Sequence, residues 1–214
     1  IVKGVSFDVA PGEVVALIGE SGSGKTTIAL SSLGYTKPGL EFTGGEVRLH
    51  GRDVITMSPD EKRDLRGRNV AYLAQSAAAT FNPALTIGEQ VTESAVLKGQ
   101  LTPEAARARA EELYRALDLP DPERLGRRYP HQVSGGQLQR LMAAMALCGK
   151  PDLLVLDEPT TALDVTTQIE VLKAFKSVIQ QEGTAAIYVT HDLSVVAQIC
   201  LLYTSPSPRD AHKS

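Results

Sequence analysis

Short apolar runs recur along the chain at residues 14–18, 70–74, 153–156 and 185–190, rich in Val, Ile and Leu and bounded by glycine or polar residues. Runs of this length without polar alternation predict strands covered on both faces, as in a parallel sheet. Residues 45–51 alternate instead, predicting a half-exposed strand closed by a turn. Between the strands the period lengthens. A helix is predicted over residues 26–33, and another where Ile169, Leu172, Phe175 and Ile179 line one face as core. From residue 76 to 147 strand character disappears. Pro103 opens an Ala/Arg/Glu-rich amphipathic stretch with Ala106, Ala110, Leu113 and Leu117 on one face, and residues 138–147 are helix-prone. The run from Glu61 to Arg68 reads as a solvated helical face. The pattern is an α/β core interrupted by a helical lobe.

Composition narrows the partners. With 214 residues the chain accommodates one sizeable core. Its 22 basic and 25 acidic residues leave a net charge of −3, without the basic footprint of a nucleic-acid binder. No apolar run approaches the ~20 residues of a membrane span, so a membrane role is expected to come through a partner. Cys148 and Cys200 are too few and too far apart for a disulfide framework or metal site, which fits a reducing cytoplasm. The chain begins at Ile1 without methionine, and the expectation is that its natural N-terminus lies upstream.

Chemistry concentrates at the ends of the predicted strands. Gly19-x4-Gly24-Lys25-Thr26 follows one strand and opens a helix, the context that makes such a match a phosphate loop. Gly22 and Gly24 let successive N–H groups turn toward phosphates, with the positive helix N-terminus behind them. Lys25 is expected to reach the β/γ-phosphates, and the Thr26 hydroxyl to ligate Mg²⁺. The run 153–156 delivers Asp157 and Glu158 to a strand's C-terminal end, where ligands of parallel sheets collect. Asp157 suits Mg²⁺, and Glu158 suits deprotonating an attacking water.

Ser134-Gly135-Gly136-Gln137 is harder to employ. Paired glycines before a helix form an anion nest, yet the same residues make a plain helix start capped by Ser134. Local physics leaves both readings open.

Between a phosphate loop and an acidic pair, this run resembles the signature of ABC-type ATPases. The other motifs follow in order: Gln75 at the end of a strand resembles the Q-loop glutamine, Thr161-Ala162-Leu163-Asp164 the D-loop, and His191 after a strand the switch histidine. The resemblance spans about residues 2–199. It implies a P-loop NTPase (RecA-like) α/β core with an inserted helical subdomain and a small antiparallel β portion. In domain terms that is residues 1–75 and 148–200 for the core and 76–147 for the helical subdomain. It implies two cofactors, ATP and Mg²⁺, and two such domains packed head to tail around two ATP molecules. Nucleotide contacts then fall to Gly19, Ser21, Gly22, Ser23, Gly24, Lys25, Thr26 and Thr27 of one copy, and to Ser134, Gly135, Gly136 and Gln137 of the other, with Asp164 across the interface. Glu158, His191 and Gln75 take the catalytic roles, and Thr26, Gln75 and Asp157 the metal. For Asp164, a helix N-cap before Val165 is a compatible second role.

Residues 80–90, Tyr129-Pro130-His131-Gln132 and residues 160–166 resemble segments of dipeptide, oligopeptide and nickel importer ATPases. That resemblance implies two transmembrane permease subunits, an external solute-binding protein acting indirectly, and a peripheral place on the cytoplasmic membrane face. It leaves the cargo open. The family's adenine-stacking aromatic falls upstream of Ile1, and Gln75-Ser76-Ala77-Ala78-Ala79 replaces a more usual Asp-Pro continuation. The segment 201–214, with Pro206 and Pro208 and no core pattern, resembles a translated cloning tail and is expected to stand outside the fold. Three alternatives are weighed. A non-transport ABC ATPase acting on nucleic acid or ribosomes is opposed by the single cassette, the acidic balance and the Asn82-Pro83 segment. A P-loop kinase or GTPase switch is opposed by the lack of Asn-Lys-x-Asp and by an idle Ser134–Gln137 run. A fragment that only binds nucleotide is the third possibility.

Overall fold

The structure, a computed structural model, describes residues 2–74, 77–160, 163–192 and the strand at 201–204. Strand β1 (Val14–Ile18) is buried along its whole length and runs through the phosphate loop into helix α1 (Lys25–Ser31). The helix starts one residue earlier and ends two residues earlier than the predicted 26–33 span. Strands β2 (Arg48–Leu49) and β3 (Arg52–Asp53) form a small antiparallel hairpin, shorter than the predicted 45–51 strand because the chain turns back at His50 and Gly51, both with positive φ. Helix α2 (Pro59–Arg68) starts on a Ser58/Glu61 capping box and keeps only Leu65 in the core, as the solvated reading of its charges implies. Strand β4 (Val70–Leu73) follows.

Among the described residues, five α-helices precede the next strand: α3 (Ala77–Thr80), α4 (Ile87–Leu97), α5 (Pro103–Ala116), α6 (Pro122–Leu125) and α7 (Gly135–Cys148). Helices α4, α5 and α7 pack on one another. Thr86 with Glu89 and Thr102 before Pro103 cap α4 and α5. The predicted face of α5 is buried: Ala106, Ala110 and Leu113 are inaccessible, and Leu117 follows at its end. The chain returns to the sheet as β5 (Leu153–Asp157), crosses α8 (Val165–Glu182) and ends its central pairing as β6 (Ala185–Thr190).

These strands make one parallel sheet in the order β4-β5-β6-β1, extended by β7 (Leu201–Thr204) on the outer side of β1. That last strand departs from the expectation that 201–214 lies outside the fold. The outer edge of β1 otherwise has an unpaired ladder, and four backbone residues beside it satisfy those groups. Residues 205–214 lie outside the described residues.

Strand residues alternate between two cores. Leu154, Leu156, Ala186 and Tyr188 pack with α7, α8 and the helical lobe; Leu153, Val155, Ile187 and Val189 pack with Ile28 and Ala29 of α1 and with Val54 and Leu65. The core face of α8 is Val171, Leu172, Phe175, Val178 and Ile179. Ile169 is only half-buried. Among the described residues, no helix is long and apolar enough to cross a membrane.

Candidate functional site

Parallel pairing places the C-terminal ends of β1, β5 and β6 along one edge. Ile18 pairs with Thr190 and Asp157 with Val189, so Gly19, Glu158 and His191 emerge side by side. Helix α1 points its N-terminus at this edge. Its N-cap, Gly24, has φ 94°, a left-handed conformation that favours glycine, and no side chain caps the first turn. The leading N–H groups of α1 therefore face the loop rather than a cap.

Lys25 is buried within the loop. Its Nζ donates to the carbonyls of Gly19 and Glu20, both at 2.7 Å, and lies 3.5 Å from Ser23 Oγ. The loop thus holds an ammonium group beside backbone donors, a pocket of positive potential suited to a polyanion. Thr26 Oγ1 donates to Asp157 Oδ1 at 3.2 Å. The other oxygen, Asp157 Oδ2, accepts from Tyr72 Oη at 2.9 Å. Partial burial, followed by this bond and the carboxylate charge, pushes the Tyr72 phenol well above its usual range, so the hydroxyl stays a donor. Tyr72 was not singled out from the sequence. The available signal was a phenol in an otherwise apolar run, one residue before the strand's end at Leu73.

Glu158 adopts φ 49°, unusual for a residue with a side chain, and its N–H donates to Val189 O at 3.0 Å. Its Oε1 lies 2.9 Å from His191 Nδ1. The switch and base residues of the sequence reading are therefore in direct contact. Behind them, buried Thr160 is 3.2 Å from the Tyr188 hydroxyl and accepts from Gln168 Nε2 at 3.0 Å, which anchors the segment after Glu158. Gln75, Thr161 and Ala162 lie outside the described residues.

The Ser134–Gln137 run resolves as a capping box. Ser134 Oγ accepts from Gln137 N at 3.3 Å, and Gln137 Oε1 accepts from Ser134 N at 3.0 Å. Ser134 and Gly135 face solvent. Gly136 does not, although a lone chain is expected to leave the whole run open: a Cβ there would sit 2.7 Å from Thr167 Cγ2 of α8. Asp164 caps α8, accepting from Thr167 N at 3.1 Å; the Thr167 side chain first, and then this and neighbouring amides, hold its carboxyl below the usual range. Thr167 is thus shared between the cap at Asp164 and the close approach at Gly136, and the two motifs form one surface.

A parallel sheet carrying a phosphate loop on one strand and an acidic pair on another defines a P-loop nucleotide-hydrolase fold. The comparisons carry this further. The family model described as "ABC transporter" matches residues 2–161. The chain is 41% identical over 198 residues to the "Probable peptide ABC transporter ATP-binding protein y4tR" of Sinorhizobium fredii, covering 92% of this chain and 59% of that protein. It is 40% identical over 199 residues to the "Dipeptide transport ATP-binding protein DppD" of Bacillus subtilis, covering 92% and 59%. Among solved structures, the dimeric ATP-binding cassette MJ0796 bound to ADP and Pi superposes with a TM-score of 0.76 at 30% identity, covering 94% of this chain and 84% of that one. The chain belongs to the ABC transporter family. It spans less than two thirds of the length of these curated relatives.

Proposed function

We propose that the chain binds MgATP and hydrolyses it, energising an importer of peptides or related small solutes. The observation that carries this reading is the convergence of Lys25, Thr26, Asp157, Glu158 and His191 on one sheet edge, with the Ser134 and Gly135 nest turned to solvent elsewhere. Lys25 and the N–H groups before α1 bind the phosphates. The Thr26 hydroxyl and Asp157 carboxylate are hard oxygen donors 3.2 Å apart, a donor set that fits Mg²⁺. An ion held there would supply positive charge to offset the charge of the phosphates. Glu158 accepts the proton of the attacking water, and His191, bonded to it, orients its carboxylate. The Ser134–Gln137 run, through its exposed Ser134 and Gly135, meets the γ-phosphate of a nucleotide held by a second cassette. Gln75, outside the described residues, is assigned by the same reading to the metal and the attacking water.

The remaining partners of this proposal are two permease subunits and, indirectly, an external binding protein, with the chain docked at the cytoplasmic membrane face. The names of the relatives favour peptides as cargo. The test is Glu158→Gln: MgATP binding is retained while turnover falls about 10²–10⁴-fold and the dimer is trapped. Full turnover by that variant refutes the assignment of the base.

A further inference from the structure

We infer that Tyr72 is a positioning residue for Asp157, fixing the carboxylate that faces the metal. This rests on the reading of Asp157 as a metal ligand. Strand β4 pairs in parallel with β5, with Tyr72 opposite Val155, so Asp157 lies two residues further along on the same face. Two residues of strand advance about 6.6 Å, close to the reach of a tyrosine from Cα to its hydroxyl. Tyr72 Oη closes that gap with a 2.9 Å bond to Asp157 Oδ2.

The pairing is complementary to the bond from the phosphate loop. Thr26 holds Oδ1 and Tyr72 holds Oδ2, so each oxygen keeps remaining lone pairs in a defined direction. A carboxylate held at one oxygen swings about a broad sp³–sp² torsion, and held at both it does not. The plain alternative is a packing tyrosine whose hydroxyl meets the nearest acceptor. Burial argues against it: Val70 and Leu73 supply the core contacts of β4, while Tyr72 remains 41% exposed. The ring contributes reach and a donor rather than core volume.

The test uses the full chain with ATPγS and Mn²⁺, with free Mn²⁺ counted by electron paramagnetic resonance. Tyr72→Phe keeps the ring and removes the donor; Tyr72→Met keeps an apolar side chain and also removes it. Both are expected to weaken Mn²⁺ binding in the nucleotide complex about fivefold, the worth of one such bond, while ATPγS affinity measured in EDTA is unchanged. In an Asp157→Ala background, Tyr72→Phe is expected to add nothing. Unchanged or tighter Mn²⁺ binding in the Tyr72 variants overturns the inference, as does the same fivefold loss in the Asp157→Ala background. If Asp157→Ala alone leaves Mn²⁺ affinity intact, the metal reading of the site fails, and the inference fails with it.

Discussion

Adding one methyl group at Gly136 sets two effects against each other. A Cβ built there lies 2.7 Å from Thr167 Cγ2, about 1 Å inside the optimal carbon–carbon separation. Alanine in place of glycine in a helix stabilises by up to ~1 kcal/mol, less near the first turn where Gly136 sits. Overpacking costs ~1–3 kcal/mol. The clash wins, and Gly136→Ala is expected to lose about 1 kcal/mol of stability. Thr167→Ser removes the opposing methyl and keeps the backbone N–H that Asp164 accepts. In that background Gly136→Ala is expected to be neutral or stabilising, giving a coupling of ~1–2 kcal/mol. Urea unfolding of the four proteins, with midpoints compared at constant m, measures it. Equal losses in both backgrounds refute the claim that the signature helix is seated on α8 through this contact.

Two further outcomes follow from buried groups. Burial pushes the Cys148 thiol up to about 11 against an ordinary value of 9.0, with the Arg109 charge opposing the shift. The folded protein then keeps a proton that the unfolded chain releases, so this group's contribution to stability falls as pH rises from about 9 to about 11 and is flat below; alkylation mapped to Cys148 is expected to be negligible in the native state at pH 8. Arg109 on α5 is paired with Glu182 at the end of α8, with both side chains mostly buried. Glu182→Gln is expected to cost about 2 kcal/mol, between the worth of exposed and buried pairs, with the loss read by thermal or urea unfolding.

The parts legible in the sequence are those written in contiguous residues. The runs at 14–18 and 153–156 declare buried strands by composition, and the parallel sheet then carries Gly19, Asp157 and Glu158 to one edge without further information. The Ser134 and Asp164 caps are equally local. What escapes is set by register or by surfaces between elements. The Tyr72–Asp157 bond joins residues 85 apart and exists only because Tyr72 is opposite Val155. The Gly136–Thr167 contact depends on how α7 crosses α8. Strand β7 pairs through its backbone with β1, so the weak core pattern of its residues hid it. In the lobe, α4 begins at a Thr86/Glu89 capping box that was present in the sequence but not read as a helix start.

The central claim is that one ATP is held by the phosphate loop of one copy and the Ser134–Gln137 run of another. Two variants in a Glu158→Gln background, Lys25→Ala and Ser134→Arg, are mixed with MgATP and their association is measured by analytical ultracentrifugation with labelled nucleotide. Each variant alone is expected to remain monomeric, since both of its shared sites are damaged. The mixture is expected to form heterodimers carrying one ATP, because the intact loop of the Ser134→Arg chain meets the intact signature run of the Lys25→Ala chain. Failure of the mixture to associate, or dimerisation of the Ser134→Arg chain by itself, contradicts the shared site.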